Sequence, residues 1–182
     1  MSLLQWILVG LSVPVIVVVL LCLAAWFVGR RLDADHVSQG VLRLRRRPEE
    51  VFTLIADVRS YPSWNRMTGV ERLPDDAGRE VWRQRFGRNS VVTVTTVNDP
   101  PRRFQQTIAD DHKFFSGTWT YEIAPTAEGC TVTLTEHGTV HHAIPRFMMK
   151  FVVDPALYLK GQLRAMATKF GEEPRVEARR LR

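Results

Sequence analysis

The sequence predicts an α+β fold, in which a seven-stranded antiparallel sheet wraps around a long C-terminal helix and one transmembrane helix precedes the sheet. Three observations lead to this prediction. Residues 3–29 form an unbroken apolar run, and apolar residues spaced by three and four recur over 145–170. Between 37 and 141, alternating segments are separated by turn signals about every 8–12 residues, which is typical of an antiparallel sheet.

The apolar run is predicted to be a retained membrane anchor over residues 1–29. The chain carries 25 basic and 19 acidic side chains, yet no Asp, Glu, Lys, Arg or His occurs before Arg30. About 20 apolar residues cross the hydrocarbon core of a bilayer. The alternative is a cleaved signal peptide, but that would have a basic start and a shorter apolar region. Trp6 and Trp26 lie near the two ends of the run, where aromatic belts form.

The charges after the run predict its orientation. Arg30 and Arg31 follow directly in a short linker, residues 30–36, and further arginines lie within Arg43–Arg47. By the positive-inside tendency, we expect a single-pass protein of the cell membrane whose C-terminal domain is cytoplasmic. The arginines within Arg43–Arg47 have two interpretations, a solvated strand face or an attraction to anionic lipid head groups.

The soluble part is predicted to begin with a strand and two short helices. Residues 37–45 alternate between apolar and basic side chains, as in a half-buried strand. Pro48 then opens a helix, with Glu49 and Glu50 placed to interact with the helix dipole. Pro62 interrupts the following stretch, which indicates a short second helix or a turn.

Six further strands are predicted from the repeated pattern of alternation and turn residues. The turns include Asp75–Gly78, Gly87–Asn89, the stretch "DDHK" at 110–113, and "APTAEG". The predicted strands cover residues 67–74, 79–87, 90–98, 103–109, 114–124 and 129–141.

The period then changes to that of a helix over 145–170, which Pro155 is expected to kink. This helix is the only element large enough to cover the apolar face of the sheet, and a curved sheet gripping one helix leaves a space between them. After it, residues 171–182 have little to bury and are predicted to be a disordered tail. The domain itself is predicted to cover 37–170.

Three stretches resemble the START-like superfamily, also called SRPBCC, which includes polyketide cyclase/dehydrase and lipid-transport proteins. They are "RRPEEVFTLIADVRSYPSWN" (46–65), "GTWTYEIAPTAEGCTVTLTEHGTV" (117–140) and the helix that starts around "IPRFMMKF" (144–151). The resemblance implies a helix-grip fold. It also implies a hydrophobic ligand, since members bind lipids, sterols, polyketides and quinones, and some are enzymes.

Glu136 is the candidate functional residue of the last strand. Alternation places Glu136 and Gly138 on the same face as apolar residues such as Leu134, which is the face toward the helix. Three roles fit a buried acid here: a structural carboxylate bonded to an arginine or a backbone amide, a polar anchor in a ligand cavity, or a general acid–base group. No adjacent nucleophile or second acid is visible in the sequence.

The histidines near Glu136 are not expected to bind a metal. His137 and His141 are four residues apart, so on a regular strand they are separated by about 13 Å. Zinc requires its nitrogen ligands at about 2 Å. His142 follows His141 directly and would point to the opposite face.

The same alternation predicts which residues line the cavity, although aromatic residues in such positions are more often core than ligand contacts. No cofactor is predicted, because the sequence has no glycine-rich phosphate loop, Gly-x-Ser-x-Gly elbow or Cys-x-x-Cys pair. A nucleic-acid partner is not expected despite the isoelectric point of 9.9, since the arginines are scattered. The predicted cavity residues are Trp82, Phe86, Phe104, Phe115, Gly117, Trp119, Tyr121, Leu134, Glu136, Gly138 and Phe151.

These observations favour a membrane-anchored START-like module that binds a hydrophobic small molecule, such as a lipid, isoprenoid, quinone or polyketide. The alternative is an enzyme of the polyketide cyclase/dehydratase type, with Glu136 as its acid–base group and Tyr121 as a hydrogen-bond donor. A further alternative is a ligand-free, membrane-proximal interaction domain that uses the exposed face around Arg43–Arg47. We expect a binding module rather than an enzyme.

Overall fold

The computed structural model describes residues 3–109 and 114–181, with side chains from residue 13 onward, so the predicted turn at 110–113 and the side chain of Trp6 lie outside the described residues. One long helix is followed by an antiparallel sheet that curves around shorter helices. The elements are α1 (Leu3–Arg31), β1 (Asp35–Leu44), α2 (Pro48–Ala56), a 3₁₀ helix (Val58–Ser63), β2 (Gly69–Asp76), β3 (Arg79–Phe86), β4 (Asn89–Asp99), β5 (Arg103–Ile108), β6 (Phe115–Thr126), β7 (Gly129–Val140), α3 (Ala143–Phe151), α4 (Ala156–Lys169) and β8 (Val176–Arg180).

The sheet has the order β2-β3-β4-β5-β6-β7-β1-β8. Strands β2 to β7 form a meander in which each strand pairs with the next one along the chain. The last of them, β7, also pairs with β1, the first strand of the chain. Every pair is antiparallel, as the short turns between the predicted strands require. The α+β class and the antiparallel sheet are therefore confirmed.

Helix α2 forms as predicted and covers one part of the sheet. Pro48 occupies its first turn, and Val51 and Ile55 are fully buried. Phe52 packs edge-on against Phe104 of β5, with ring centroids 6.4 Å apart. Helix α2 thus covers the part of the sheet that β5 and β6 form.

Helix α4 covers the other part of the concave face. Leu159, Leu163 and Met166 are fully buried, and they are among the apolar residues whose spacing predicts a helix face over 145–170. Gly40 of β1 allows α4 to approach closely, because a Cβ at that position would lie 2.7 Å from Cδ1 of Leu163. Each of these leucines contributes about 1.5–3 kcal/mol through its burial.

The prediction of one long helix over 145–170 is wrong. Two helices form there, and Val152–Pro155 separate α3 from α4. Pro155 lacks a backbone N–H and so cannot continue a helix, and it begins α4 instead of kinking a continuous one. Helix α3 has no buried residue, so of these two helices α4 is the one that buries its apolar face against the sheet.

The predicted number of seven strands is also wrong, because β8 forms where a disordered tail was expected. Val176 and Ala178 of β8 lie opposite Leu42 and Gly40 of β1. Partly buried and exposed residues alternate along β8, as in an edge strand with one covered face. Without β8, the backbone groups on that side of β1 would have no partner strand.

Helix α1 extends beyond the predicted anchor to Arg31, so only residues 32–34 link it to β1. Within it, Val13–Arg31 is long and apolar enough to cross a membrane, and a signal sequence would have the same character. Its C-terminal end packs against α3, where Gly29 meets the backbone of Ala143.

Candidate functional site

The concave face of the sheet carries the even-numbered residues of β7, as the alternation predicts. Val132 and Leu134 are fully buried, and Glu136 is largely buried on the same face. His137 and His141 are exposed on the other side. The described residues contain no group of three or more His, Cys, Asp or Glu side chains placed to hold a metal ion.

Glu136 belongs to a row of polar residues that crosses five strands. Ser38 of β1 and Trp119 of β6 are its direct cross-strand partners on either side. Gln106 of β5 lies opposite Trp119, and Thr95 of β4 lies opposite Gln106. Because neighbours of this kind have Cβ atoms about 4.5–5.5 Å apart, the five side chains form a continuous line, which we call the polar row.

Four members of the polar row carry a buried atom without a hydrogen-bond partner in the described part of the chain. These atoms are Ser38 Oγ, Trp119 Nε1, Gln106 Nε2 and Thr95 Oγ1. Leaving such a group unsatisfied costs about 1–3 kcal/mol, and native proteins contain few of them. Their concentration in one row indicates a place built for polar contacts.

The neighbouring Gln84 explains how Gln106 is oriented. The side-chain N–H groups of Gln84 donate to Oγ1 of Thr93 and to Oε1 of Gln106, each at 2.9 Å. The carbonyl oxygen of Gln106 is thereby occupied, and its amide nitrogen is the end that has no partner. The polar row therefore presents a donor at this position.

Burial raises the pKa of Glu136 from 4.5 to about 7. The indole N–H of Trp119 partly opposes this rise, although the two side chains do not form a hydrogen bond of normal geometry. Glu136 takes part in none of the ion pairs among the described residues. It therefore lacks, among the described residues, the arginine partner that was one of the two structural expectations, and near neutral pH it exists in both protonation states.

Tyr158 closes the space in front of the polar row, and the sequence analysis missed it. Its ring packs against Trp119 and Phe86 with centroid distances of 6.3 and 6.5 Å. Its hydroxyl accepts a hydrogen bond from Nε2 of Gln162 at 3.0 Å. The polar pair at positions 158 and 162, beside the buried Leu159, was the signal that could have revealed it.

A small cleft of about 40 Å³ opens next to Tyr158. A much larger groove of about 920 Å³ lies at the far end of β1, where Arg43, Arg45 and Glu172 line it. That groove is open and charged, and it contains none of the predicted cavity residues. The small cleft contains one of the predicted cavity residues, Phe86, and it is linked to the polar row through Tyr158, whose ring contacts Trp119. Its lining is Asn65, Arg66, Phe86, Leu157, Tyr158, Gly161 and Gln162.

The two glycines on the concave face do not leave room for a ligand. A Cβ at Gly138 would overlap the imidazole of His36, its direct partner on β1. A Cβ at Gly117 would lie 2.8 Å from the carbonyl oxygen of His137. Gly138 thus accommodates His36, and Gly117 permits the close approach of β6 and β7.

His36 is a second residue that the sequence analysis missed, because it was assigned to the linker. It is 7% exposed. Burial lowers its pKa, the nearby Arg180 lowers it further, and Asp35 opposes both effects. His36 therefore remains neutral over a wider range of pH than an exposed histidine.

The structure divides the predicted cavity residues into three groups. Phe86, Phe115, Gly117, Trp119 and Glu136 are partly accessible on the concave face beside the polar row. Phe151 does not lie there, because it is 60% exposed on α3. Trp82, Phe104, Tyr121 and Leu134 are packed in the hydrophobic core, and Gly138 is covered by His36.

The arginines within Arg43–Arg47 lie at the end of β1 that is remote from α1. The ten residues of β1 separate the two ends by about 30 Å, which exceeds the Debye length of about 8 Å at physiological salt. Arg46 donates to the carbonyl oxygen of Phe170 at 2.9 Å, and Arg47 pairs with Glu50 at 2.8 Å. This geometry favours the solvated strand end over an attraction to lipid around α1.

Comparison with known proteins gives one family match by sequence. Residues 38–171 match the model of the family described as "Polyketide cyclase / dehydrase and lipid transport". No significant match is found among curated proteins.

Several solved structures resemble the fold of the domain. The aromatase/cyclase ZhuI from Streptomyces sp. R1128 superposes with a TM-score of 0.63 at 15% identity, over 74% of this chain and 93% of that one. A START superfamily protein from Mycobacterium smegmatis gives 0.52 at 18% identity, over 75% and 94%. The di-domain ARO/CYC protein StfQ from the steffimycin biosynthetic pathway gives 0.61 at 13%, over 76% of this chain, which spans only 52% of StfQ. At these identities the likeness concerns the fold alone.

Proposed function

Because the chain belongs to the polyketide cyclase/dehydrase and lipid transport family and has a helix-grip fold, we propose that it binds a hydrophobic small molecule on the concave face of the sheet. Helix α1 holds the domain at a membrane. The ligand is a lipid, isoprenoid, quinone or polyketide, and it lies between the sheet and α4 with its polar end at the polar row.

The observation that carries this proposal is the set of unpartnered polar atoms around Glu136. Within the described part of the chain, Trp119 Nε1 and Gln106 Nε2 are donors without an acceptor at normal hydrogen-bond geometry. Glu136 can donate when protonated and accept when ionised, and its pKa of about 7 makes both forms available. Apolar core side chains surround them. This combination suits a ligand with an apolar body and one or more carbonyl or hydroxyl oxygens.

Binding requires the site to open. The cleft of about 40 Å³ beside Tyr158 is far below the roughly 300–1,000 Å³ of sites that hold such molecules. Tyr158 lies in the first turn of α4, and Gly161 follows one turn later in the same helix. Glycine weakens a helix interior by about 0.5–1 kcal/mol relative to alanine. This first part of α4 is therefore the element that moves aside.

The test is to identify the molecule that the chain retains. The full chain is purified in a mild detergent beside a Trp119→Phe/Gln106→Leu variant, which keeps an aromatic and a large side chain at these positions and removes two donors. Organic extracts of both are compared by mass spectrometry, so that detergent and bulk lipid cancel. We expect a species enriched in the wild-type protein and depleted in the variant. Identical extracts from both proteins would contradict the proposal.

The pKa of Glu136 favours a second function, that of a cyclase or dehydratase. A carboxyl group with a pKa of about 7 is suited to acid–base catalysis near neutral pH. Tyr121 would serve as the donor, because burial raises the pKa of its hydroxyl and keeps it protonated. In this case Glu136→Gln abolishes conversion of the retained ligand while the ligand still co-purifies. A variant that retains both would leave Glu136 without a catalytic role.

A further inference from the structure

We propose that α3 and the segment that follows it form a second membrane-binding surface, which lies in the interface of the bilayer that α1 enters. This inference rests on the anchor role proposed above for α1. It assigns to α3 a role that packing within the domain does not explain, since none of its residues is buried.

The outer side of α3 is apolar and exposed. Ile144, Met148 and Phe151 are 44%, 40% and 60% exposed, and their spacing of four and three places them on one face of the helix. Val152 and Val153 continue this face with 64% and 49% exposure. Soluble proteins rarely expose contiguous apolar surface of this kind, and when they do it marks an interaction site.

The packing of α3 on α1 places this surface at the depth of the bilayer interface. Within Val13–Arg31, only Ala25 and Gly29 are not exposed. A Cβ at Gly29 would collide with the carbonyl oxygen of Ala143, so the two helices touch through small residues, as membrane helices do.

The last turns of α1, which contact α3, contain pairs of aromatic and basic residues of the kind found at a membrane–water interface. The guanidinium of Arg30 lies 4.7 Å from the centre of the Trp26 ring, and that of Arg31 lies 4.1 Å from the centre of the Phe27 ring. Aromatic and basic residues together are typical of the interface. Helix α3 begins beside this boundary because Ala143 contacts Gly29.

The charges of the segment fit an interfacial position and exclude a deeper one. Lys150 can extend its ammonium to the head groups while its stem stays apolar. Arg146 turns back and donates to the carbonyl oxygens of Val140 at 2.7 Å and His141 at 3.2 Å. Asp154 accepts a hydrogen bond from the backbone N–H of Ala156 at 3.0 Å. Nine residues of helix span about 13 Å, too short to cross the hydrocarbon core of about 30 Å.

This surface borders the opening of the ligand site. Leu157 is 63% exposed and lies four residues after Val153, and it also lines the small cleft with Tyr158 and Phe86. A bilayer in contact with Val152, Val153 and Leu157 therefore reaches the rim of the cleft. A hydrophobic ligand can then exchange between the site and the lipid phase without crossing water.

The experiment measures the depth of single probes on the full chain in vesicles of dioleoylphosphatidylcholine with a minor fraction of dioleoylphosphatidylglycerol. In a Cys22→Ser background, an NBD fluorophore is attached at Val152→Cys or, as the matched control, at Glu128→Cys. Cys130 is 1% exposed and stays in place. Glu128 lies in the turn between β6 and β7, at the end of the sheet remote from α1.

We expect the probe at 152 to be quenched several-fold more by doxyl-labelled lipid than the probe at 128, and several-fold less by iodide. With Phe151→Ser and Val153→Ser added, iodide quenching of the probe at 152 should rise toward the value measured for the control probe at 128. Equal iodide quenching at both sites overturns the proposal. Protection from iodide without quenching by doxyl lipid also overturns it, because a protein then covers the surface.

Flotation of the labelled chain with the vesicles separates the two proposals. A chain that does not float contradicts the anchor role of α1 and with it the second surface. A chain that floats while its probe at 152 is exposed to water contradicts the second surface alone. Neither result bears on the retained ligand, which the extraction measures independently.

Discussion

Glu136 of β7 lies directly opposite Trp119 of β6 on the concave face of the sheet. The indole N–H of Trp119 has no hydrogen-bond partner among the described residues, and burial raises the pKa of Glu136 to about 7. In the proposed function, this carboxyl group and this N–H donor, side by side on neighbouring strands, bind the polar end of the ligand. The predictions below test this pair and the elements that position it.

Replacing Glu136 with glutamine should change how stability depends on pH. The folded state holds the proton of Glu136 up to about pH 7, whereas the unfolded chain releases it near 4.5. The stabilising contribution of the carboxyl is therefore complete below about pH 4.5 and is lost as the pH rises toward 7. The two pKa values differ by an amount that corresponds to about 3 kcal/mol. Glutamine is neutral throughout and avoids this loss.

The measurement is the midpoint of thermal unfolding of both proteins in nanodiscs between about pH 5 and 7. The advantage of Glu136→Gln over the wild type should grow across this interval. His36 acts with the opposite sign, because its lowered pKa makes its contribution complete above 6.5 and lost at lower pH. It is present in both proteins, so it cancels in the difference. A difference that stays constant with pH would mean that Glu136 is not held in its neutral form.

Gly138→Ala should destabilise the domain by about 1–3 kcal/mol, because its Cβ overlaps the imidazole of His36. The double variant with His36→Ala should recover part of this loss, since the overlapping ring is gone. Denaturation of the single and double variants gives the coupling between the two positions. Additive effects would show that the two side chains do not meet.

Gly161→Ala in α4 is the counterpart of Gly138→Ala, because a Cβ at position 161 would meet no atom within 4 Å. It should stabilise the helix by about 0.5–1 kcal/mol through helix propensity alone. If the first part of α4 moves aside to admit the ligand, the same change slows exchange of the retained molecule. Release of that molecule to acceptor vesicles measures the rate, and an unchanged rate in a stabilised protein would place the opening elsewhere.

Removing β8 should destabilise the domain and promote its association. The strand pairs with β1 from Ser38 to Leu42, so truncation after residue 175 exposes the ladder groups on that edge. Light scattering and the thermal midpoint report the effect. Glu177→Lys, at an exposed position of β8, is the control that should change neither. A truncated chain that is as stable and monodisperse as the control would show that β8 does not protect the sheet.

Side-chain alternation and helical spacing predicted much of the domain because each is set by local geometry. They placed Glu136 on the concave face, and they identified Leu159, Leu163 and Met166 as part of an apolar helix face. They also predicted α2 from Pro48. Each of these follows from the direction in which successive side chains point along one element.

The errors arose where contacts between distant segments decide the structure. Residues 176–180 have little to bury alone, and they form a strand only because β1 offers them an open edge. His36 lies in a segment that looks like a linker, and its burial depends on Gly138 about a hundred positions later. The apolar residues of α3 match the helical spacing of α4, so the sequence did not reveal that Pro155 separates two helices with different surroundings.

The polar row could not be predicted for the same reason. Alternation gives the face on which Thr95, Gln106 and Trp119 lie, but not that they stand side by side. That depends on the strand order and on the register of each pair. Only the assembled sheet brings the unpartnered atoms together.

The most direct test of the central claim is an experimental structure of the full chain purified without removal of its lipids. We expect density for a hydrophobic molecule between the sheet and α4, with an oxygen within hydrogen-bonding distance of Trp119 Nε1 or Gln106 Nε2. We also expect that Tyr158 has moved away from Phe86. A ligand bound only in the groove beside Arg43 and Glu172, or an interior closed around the polar row, would contradict the claim.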